Sequence, residues 1–291
     1  MPFKWPPKKR GIKLTVVFPA SNLKVLQDLR QRTEYLGMLA RVLATFRVDN
    51  MVILRDRESS NEEVNFIRLI LEYLLIPPYL RKRLVPLIPE LRYAGLLPPL
   101  NIATHNPEGK SPSINELREG LVIESMGVKG KVFIGHKRPC FTHSTRELKV
   151  NERVMVRIVS IDPLRCELVE KDSVEEYVGF NVITSEEYEL IDLCGKLGGL
   201  IVLTSKLGDD YVRIPLRKAF IKMIKESGGL ILLFGNYAKD FDELVSPKVI
   251  EKLNPKFKLN FIPGQGTLSI RTIEALIAIL SLINVDLESF K

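Results

Sequence analysis

The chain is poor in cysteine. It has three, Cys140, Cys166 and Cys194, far apart and with no CxxC pair. That spacing argues against a disulfide framework and against a thiolate zinc site, and it points to a reducing, cytoplasmic compartment. Histidine is equally scarce: His105, His136 and His143 show no ligand spacing, so no metal is expected. The longest apolar run, Ile273 to Ile283, contains Glu274 and is too short to span a bilayer. Met1 to Arg10 lacks the apolar stretch of a signal peptide, so no membrane partner is expected. Neither GxxxxGK[ST] nor GxGxxG occurs, which argues against a phosphate loop and against a dinucleotide fingerprint.

What is present is a chain of 291 residues, 45% apolar and 27% charged, enough for a sizeable core and one or two domains. Its net charge of +8 favours an anionic partner such as nucleic acid. Residues 1–11 carry Lys4, Lys8, Lys9 and Arg10 with no acid, the composition of a flexible basic arm.

Strand-like runs alternate with helical ones at both ends of the chain. Lys13 to Phe18 and Met51 to Leu54 read as strands. Gln31 to Phe46 and Glu62 to Ile76 read as amphipathic helices. Further on, Leu200 to Leu203, Leu230 to Phe234 and Phe257 to Phe261 are near-continuous apolar strands. Helices are expected over Ser185 to Leu197, Arg213 to Glu226, Ser246 to Leu253 and Ile273 to Val285. The order predicts a parallel α/β sheet covered on both faces.

Residues 77–100 are punctuated by proline and predict short helices at Tyr79 to Leu84 and Ile88 to Tyr93. Arg81, Lys82 and Arg83 form a basic cluster there, read as either a solvated helix face or phosphate contacts.

Residues 101–173 differ in character. A polar, Pro- and Gly-containing linker leads into short strands at 121–123, 131–134, 154–159 and 166–169, the pattern of a small inserted β-barrel. No acidic residue occurs between Glu124 and Glu147, whereas Lys129, Lys131, Lys137, Arg138 and Arg146 do, interleaved with Phe133, His136, Phe141 and His143. Cations among stackable rings suit single-stranded RNA.

The remaining candidate is the junction Asn260 to Thr272, a Pro/Gly-rich turn between a buried strand and a buried helix. Gly264 and Gly266 allow close backbone approach, and Ser269 or Thr272 is placed to cap the helix, with Glu274 at its positive end. The loop is neutral and flanked by Phe261, Ile262 and Leu268, which suits a flat heteroaromatic ring better than a triphosphate. In parallel sheets ligands sit beyond the carboxyl ends of strands, here Thr204-Ser205, Phe234-Gly235-Asn236 and Asn260 to Thr267.

Several stretches together resemble the SPOUT, or trefoil-knot, methyltransferase superfamily, and within it the archaeal and eukaryotic RNA methyltransferases that carry an inserted barrel. They are Ile262 to Thr267 with Ser269 to Thr272, Glu274 and Ala275; Leu232 to Gly235; Tyr79 to Lys82 followed by Gly95 to Leu100; and Ala40-Arg41 leading to Val48-Asp49. One departure is Phe234-Gly235-Asn236-Tyr237, where that family often has a second glycine and a proline.

The resemblance implies a discontinuous SPOUT domain (residues 12–100 and 174–291) with a C-terminal trefoil knot, interrupted by an OB-like barrel (101–173). It also implies a homodimer, S-adenosylmethionine as cofactor, and RNA, ribosomal RNA above all, as partner. By the same resemblance, backbone groups of Ile262, Gly264, Thr267 and Leu268 read adenine. Thr204, Phe234 and Gly235 line the ribose and methionine side, Gln265 holds a polar group, and Pro263, Gly266 and Thr272 complete the set. Arg41 is the choice for substrate or transition-state contact, with Arg271 and Asp240 behind it and no general base evident. RNA contacts are assigned to Arg81, Lys82, Arg83, Lys129, Lys131, Lys137 and Arg138. The expected reaction is methylation of an rRNA base, with uridine N3 suspected. The alternative is an inert RNA-binding or ribosome-assembly factor that keeps the knot.

Overall fold

The computed structural model describes residues 4–212 and 214–289. Met1 to Phe3 of the expected arm and Arg213 of the expected helix lie outside the described residues. The chain forms two compact units: Arg10–Glu72, Pro89–Pro98 and Gly179–Lys291 make one, and Met1–Lys9, Tyr73–Ile88 and Pro99–Val178 the other.

The first unit holds a six-stranded parallel sheet. Its strands are β1 (Lys13–Pro19), β2 (Asn50–Arg55), β8 (Asn181–Glu186), β9 (Leu200–Asp210), β10 (Gly229–Leu233) and β11 (Phe257–Asn260), in the order β11-β9-β10-β1-β2-β8. The central strands are buried on both faces, which is why they read as unbroken apolar runs. Val17, Val52, Leu54, Leu203, Ile231 and Leu233 pack against α4 (Glu189–Leu197), α6 (Phe241–Leu244) and α7 (Pro247–Leu253). Val16, Phe18, Ile53, Leu230 and Leu232 alternate with them and are also buried. The other helices of the unit are α1 (Leu29–Thr45), α2 (Asn61–Leu75, whose last turn from Tyr73 on belongs to the second unit), α5 (Ile214–Glu226) and α8 (Thr272–Ser289).

Two local expectations fail here. Ser185 lies in β8, a strand absent from the sequence reading, because β8 is a half-exposed edge strand without a full apolar run. The helix expected at Ile88 to Tyr93 reduces to single 3-10 turns at Pro89–Leu91 and Ala94–Leu96.

The second unit is a closed five-stranded barrel, in the order β3-β4-β5-β7-β6. Its strands are β3 (Leu117–Met126), β4 (Lys129–Phe133), β5 (Cys140–His143), β6 (Arg153–Ile161) and β7 (Leu164–Leu168). Strict alternation sends Val132, Cys140, Val154, Val156, Ile158, Leu164 and Cys166 inward as one core. α3 (Pro78–Leu84) belongs to this unit: Tyr79 and Leu80 pack on Leu121, and the Tyr79 hydroxyl donates to the Glu119 carbonyl at 2.6 Å.

The expected flexible arm is tied down at its described end. The backbone of Lys9 donates to Glu175, and Tyr177 donates to Pro7. The Lys9 ammonium donates to the Lys171 carbonyl at 2.6 Å. These bonds satisfy backbone groups that an arm would leave to water. Among the described residues, no helix is long and apolar enough to cross a membrane.

Candidate functional site

The α/β unit has a cleft beyond the carboxyl ends of β9, β10 and β11, where a ligand of a parallel sheet is expected. Three chain segments make it, and each has a local cause.

The first is an excursion in β9. β11 advances one residue, Lys258 to Leu259, while its β9 partner jumps from Leu203 to Asp209. Residues 204–208 are therefore pushed out of the ladder, and Thr204, Ser205 and Lys206 line the cleft. The Thr204 hydroxyl donates to the Leu233 carbonyl at 3.1 Å, and Asn260 donates to the Lys206 carbonyl at 3.2 Å, closing the base of the excursion.

The second is the turn after β10. A Cβ on Gly235 would overlap the carbonyl oxygen of Lys239, so only glycine lets the chain fold back here. Asn236 fixes the turn. Its side-chain oxygen accepts from the backbone of Ala238 and Lys239 at 2.9 and 2.8 Å, and its amide donates to Ser21 and Glu58 at 3.0 Å each. Asn236 thus closes the turn by an Asx-type arrangement.

The third is the loop 261–271. Ile262, Gln265, Ser269 and Ile270 line the cleft, as does Thr272 at the start of α8. Gly264 has φ 69°, a left-handed conformation that suits glycine. The Lys206 ammonium donates to the Leu268 carbonyl at 3.0 Å, and Gln265 donates to the Thr267 carbonyl at 2.8 Å. Thr272 does not cap α8. Its hydroxyl lies 2.6 Å from Asn22 Oδ1 and 3.3 Å from the Gly235 carbonyl, and Glu274 caps instead by accepting from the Arg271 backbone at 2.9 Å.

Of the eleven residues expected at the cofactor, Thr204, Phe234, Gly235, Ile262, Gln265 and Thr272 line the cleft. Pro263, Gly264, Gly266, Thr267 and Leu268 form the loop around them without lining it, and Leu268 is 89% exposed. A Cβ on Gly266 would meet nothing, so no contact within the chain requires a glycine there.

Asn22 is a residue the sequence reading missed. Its amide donates to the carbonyls of Pro19 and Gly235, joining the ends of β1 and β10. Its signal lay in the Pro-Ala-Ser-Asn end of β1, but only the strand order reveals that β10 is β1's neighbour.

The charges of the cleft are paired. Asp240 accepts from Ser205 at 2.5 Å and lies 3.5 Å from the Lys258 ammonium, which also meets Asp242 at 2.8 Å. Burial works against the Lys258 ammonium, but Asp242 and Asp240 outweigh it and raise its pKa above the ordinary value. Lys239 pairs with Glu58 at 2.7 Å, and that hydrogen bond is the main cause holding the Glu58 carboxyl below its usual range. With Lys206 and Lys239 already engaged, the cleft resembles no triphosphate site. Its walls are Phe234, Phe261, Ile262, Ile270 and Ile279, with backbone and amide polar groups between them, a set that fits a flat heteroaromatic ring and a short polar chain.

Arg41 is not among the residues lining this cleft. It is the thirteenth residue of α1, which leaves the carboxyl end of β1 and leads to the amino end of β2, so it lies toward the opposite edge of the sheet.

In the barrel unit the basic residues divide. Arg81 donates to the carbonyls of Leu74 and Ile76 at 3.3 and 3.0 Å, stacks over Tyr73, and has its pKa lowered by burial, so it finishes α2 and is not free for phosphate. Lys82 and Arg83 are exposed, Arg83 lying 4.3 Å over the Phe133 ring. Lys129 and Lys137 are exposed, Lys131 pairs with Glu124 at 2.7 Å, and Arg138 lies 3.9 Å from Asp162. His105 is half-buried, its Nε2 3.3 Å from the Leu75 carbonyl, and loss of water around the ring pushes its pKa down to about 4.

The family model described as "Putative RNA methyltransferase" matches residues 13–283. The chain belongs to this family of RNA methyltransferases. Its relatives include an uncharacterised protein of Haloarcula marismortui, 30% identical over 285 residues, which covers 92% of this chain and 97% of that protein. The human 28S rRNA (uridine-N(3))-methyltransferase is 27% identical over 297 residues, 92% of this chain and 77% of the human one. The Drosophila melanogaster protein of the same name is 28% identical over 308 residues, 94% of this chain and 62% of the fly one. The family match spans both units, since residues 13–283 include the whole sheet and the whole barrel.

Proposed function

We propose that the chain methylates a base of ribosomal RNA with S-adenosylmethionine as donor, and that the acceptor is uridine N3, the position named for the human and fly relatives. The observation that carries the reading is the cleft at the ends of β9, β10 and β11, walled by apolar side chains and lined with backbone polar groups. When bound, the donor supplies an electrophilic methyl group, so the protein's task is to position the two reactants and to exclude water.

In this proposal Thr204, Phe234 and Gly235 hold the ribose and methionine side. Backbone groups of Ile262, Gly264, Thr267 and Leu268 hold the adenine, and Gln265 holds a polar group. Pro263, Gly266 and Thr272 shape the loop, Thr272 through its bond to Asn22. Transfer to N3 releases the N3 proton. Asp240 is already engaged by Ser205 and Lys258, so the proposal sends that proton to solvent. It assigns Arg41 no role in the cleft of its own chain.

We further propose that the loop 261–271 forms the trefoil knot. The reading is supported by the way residues 204–208, 235–240 and 261–271 meet in one cleft. The barrel, read as OB-like, takes RNA through Lys82, Arg83, Lys129, Lys131, Lys137 and Arg138. A homodimer is supported by α1 and α8, which pack together yet leave Met38, Ile277 and Val285 exposed at 52%, 41% and 56%.

The test is labelled methyl transfer from S-adenosylmethionine to total RNA of a strain lacking this gene, followed by nucleoside mass spectrometry. Label in 3-methyluridine of rRNA is expected, and label in another nucleoside moves the acceptor atom. The engaged state of Asp240 favours one second reading, an inert RNA-binding or assembly factor, which predicts salt-dependent RNA binding and no methyl incorporation.

A further inference from the structure

The outward face of the barrel carries an arrangement that the charge of the chain alone does not predict. In β4, Lys129, Lys131 and Phe133 point outward while Gly130 and Val132 are buried. In β5, Phe141 and His143 point outward while Cys140 and Thr142 are buried. In β7, Arg165 points outward between buried Leu164 and Cys166. The strand registers put Lys131 opposite Phe141 on one side and Arg165 opposite Phe141 on the other, with Lys129 opposite His143.

Phe141 is 49% exposed, and the Lys131 ammonium lies 5.8 Å from its ring centroid. Phe133, the next ring along, is already covered: Arg83 lies over it and Tyr79 meets it edge-on. Among the described residues, Lys129, Lys137 and Arg165 form no ion pair.

A single exposed phenylalanine is ordinary on a protein surface. One held in register between Lys131 and Arg165, on strands where Lys129 and Arg165 form no ion pair, is chemically complementary to a nucleobase flanked by phosphates. A base inside a duplex cannot offer its π-face, so the match is to a single strand. We propose that the β4–β5–β7 face is a single-stranded RNA platform. Phe141 stacks one base, Arg165 holds a phosphate on one side, and Lys131 holds one on the other by exchanging its Glu124 partner for it. The proposal rests on the reading of RNA as the substrate. It adds the stacking role of Phe141, which Phe133 cannot share, the phosphate role of Arg165, and the three strands that present them.

The experiment uses the full chain, a fluorescein-labelled 12-nucleotide oligouridine, and a 12-base-pair RNA duplex, with affinity measured from low to high salt. Phe141→Ala is expected to weaken single-strand binding on the order of 5- to 100-fold. Duplex binding and the thermal midpoint should stay unchanged, since the ring is not in the core. Phe141→Trp should restore affinity to within about threefold. Arg165→Gln should reduce the slope of log K against log salt by about 0.7, the loss of one phosphate contact on a single strand.

The proposal is overturned if Phe141→Ala binds the single strand as the wild type does, or if the duplex binds as tightly as the single strand. Labelled methyl transfer by the wild-type chain separates the two readings. Transfer together with unaffected Phe141→Ala binding removes the platform and keeps the enzyme. Loss of single-strand binding in Phe141→Ala without any transfer removes the enzyme and keeps the platform.

Discussion

The cleft of the α/β unit and the outer face of the barrel are built on opposite plans. In the cleft the polar side chains Asn22, Thr204, Ser205, Asn236, Asp240 and Thr272 bond to one another or to backbone groups that border the cleft. They fix the course of the backbone, and the backbone is what a ligand would meet. On the barrel face the side chains themselves are presented: Phe141 stands exposed, with Lys129 and Arg165 exposed on neighbouring strands. A site made of backbone shape tolerates little change at its turns and much at its side chains. A site made of side chains behaves the other way round.

The largest effect should therefore come from one methyl group in the cleft. Gly235→Ala forces a Cβ into the Lys239 carbonyl, and the turn 235–240 must move to accept it. Donor affinity measured by calorimetry is expected to fall on the order of 1,000-fold, about 4 kcal/mol. Gly266→Ala meets nothing within the chain and should leave thermal stability unchanged. If Gly235→Ala binds S-adenosylmethionine normally, the cleft is not held by its backbone and the contrast between the two regions collapses.

How much of each region could be read in the sequence follows from the same difference. The barrel face was visible, because an acid-free run with interleaved rings is a property of residue types. Closure of the barrel was less so. β5 is only four residues long and alternates as Cys-Phe-Thr-His, too brief to separate from a loop. The central strands of the sheet were visible as apolar runs, but β8 was not, since only Ser185 in it is fully buried.

In the cleft, the loop 260–272 stood out by its glycines. The excursion at 204–208 did not, because it exists only as a mismatch of register between two strands distant in sequence. Thr272 misled for a related reason: a threonine at a helix start usually caps, yet here the hydroxyl is drawn to Asn22, 250 residues earlier. Arg41 stands outside the cleft of its own chain because position along a helix decides which end of the strands a residue serves, and residue type carries no record of that.

A smaller effect separates the two units by pH. All three histidines of the chain lie in the barrel unit, and His105 is half-buried there, with desolvation lowering its pKa from 6.5 to about 4. The unfolded chain binds a proton at this site below about pH 6.5, and the folded chain does not until about pH 4. Stability of the barrel is therefore complete above pH 6.5, falls as pH drops toward 4, and levels off below, a total of about 3 kcal/mol. Amide hydrogen exchange at pH 7 and pH 5 is the measurement. Barrel amides of β3 and β6 should lose protection while those of β1 and β10 keep theirs, and His105→Gln should flatten the difference. Equal loss in both units would place the acid sensitivity elsewhere.

The smallest effect is the most discriminating, because it concerns adjacent residues of one basic cluster. Arg81 and Lys82 are indistinguishable by charge, and both were expected to touch phosphate. The structure gives Arg81 two carbonyls at the end of α2 and the Tyr73 ring, and leaves Lys82 in solvent. Arg81→Ala should cost about 1–2 kcal/mol of stability, the loss of its hydrogen bonds to otherwise uncapped carbonyls, with the salt dependence of RNA binding unchanged. Lys82→Gln should leave the denaturation midpoint where it is and reduce the slope of log K against log salt by about 0.7 if Lys82 meets one phosphate of a single strand. Unfolding and salt titration of the two variants side by side therefore read out two different physical roles. If both variants changed the salt slope and neither changed stability, Arg81 would have to leave the helix end to reach RNA, and the division between side chains that fix the chain and side chains that meet the ligand would fail within a single turn of α3.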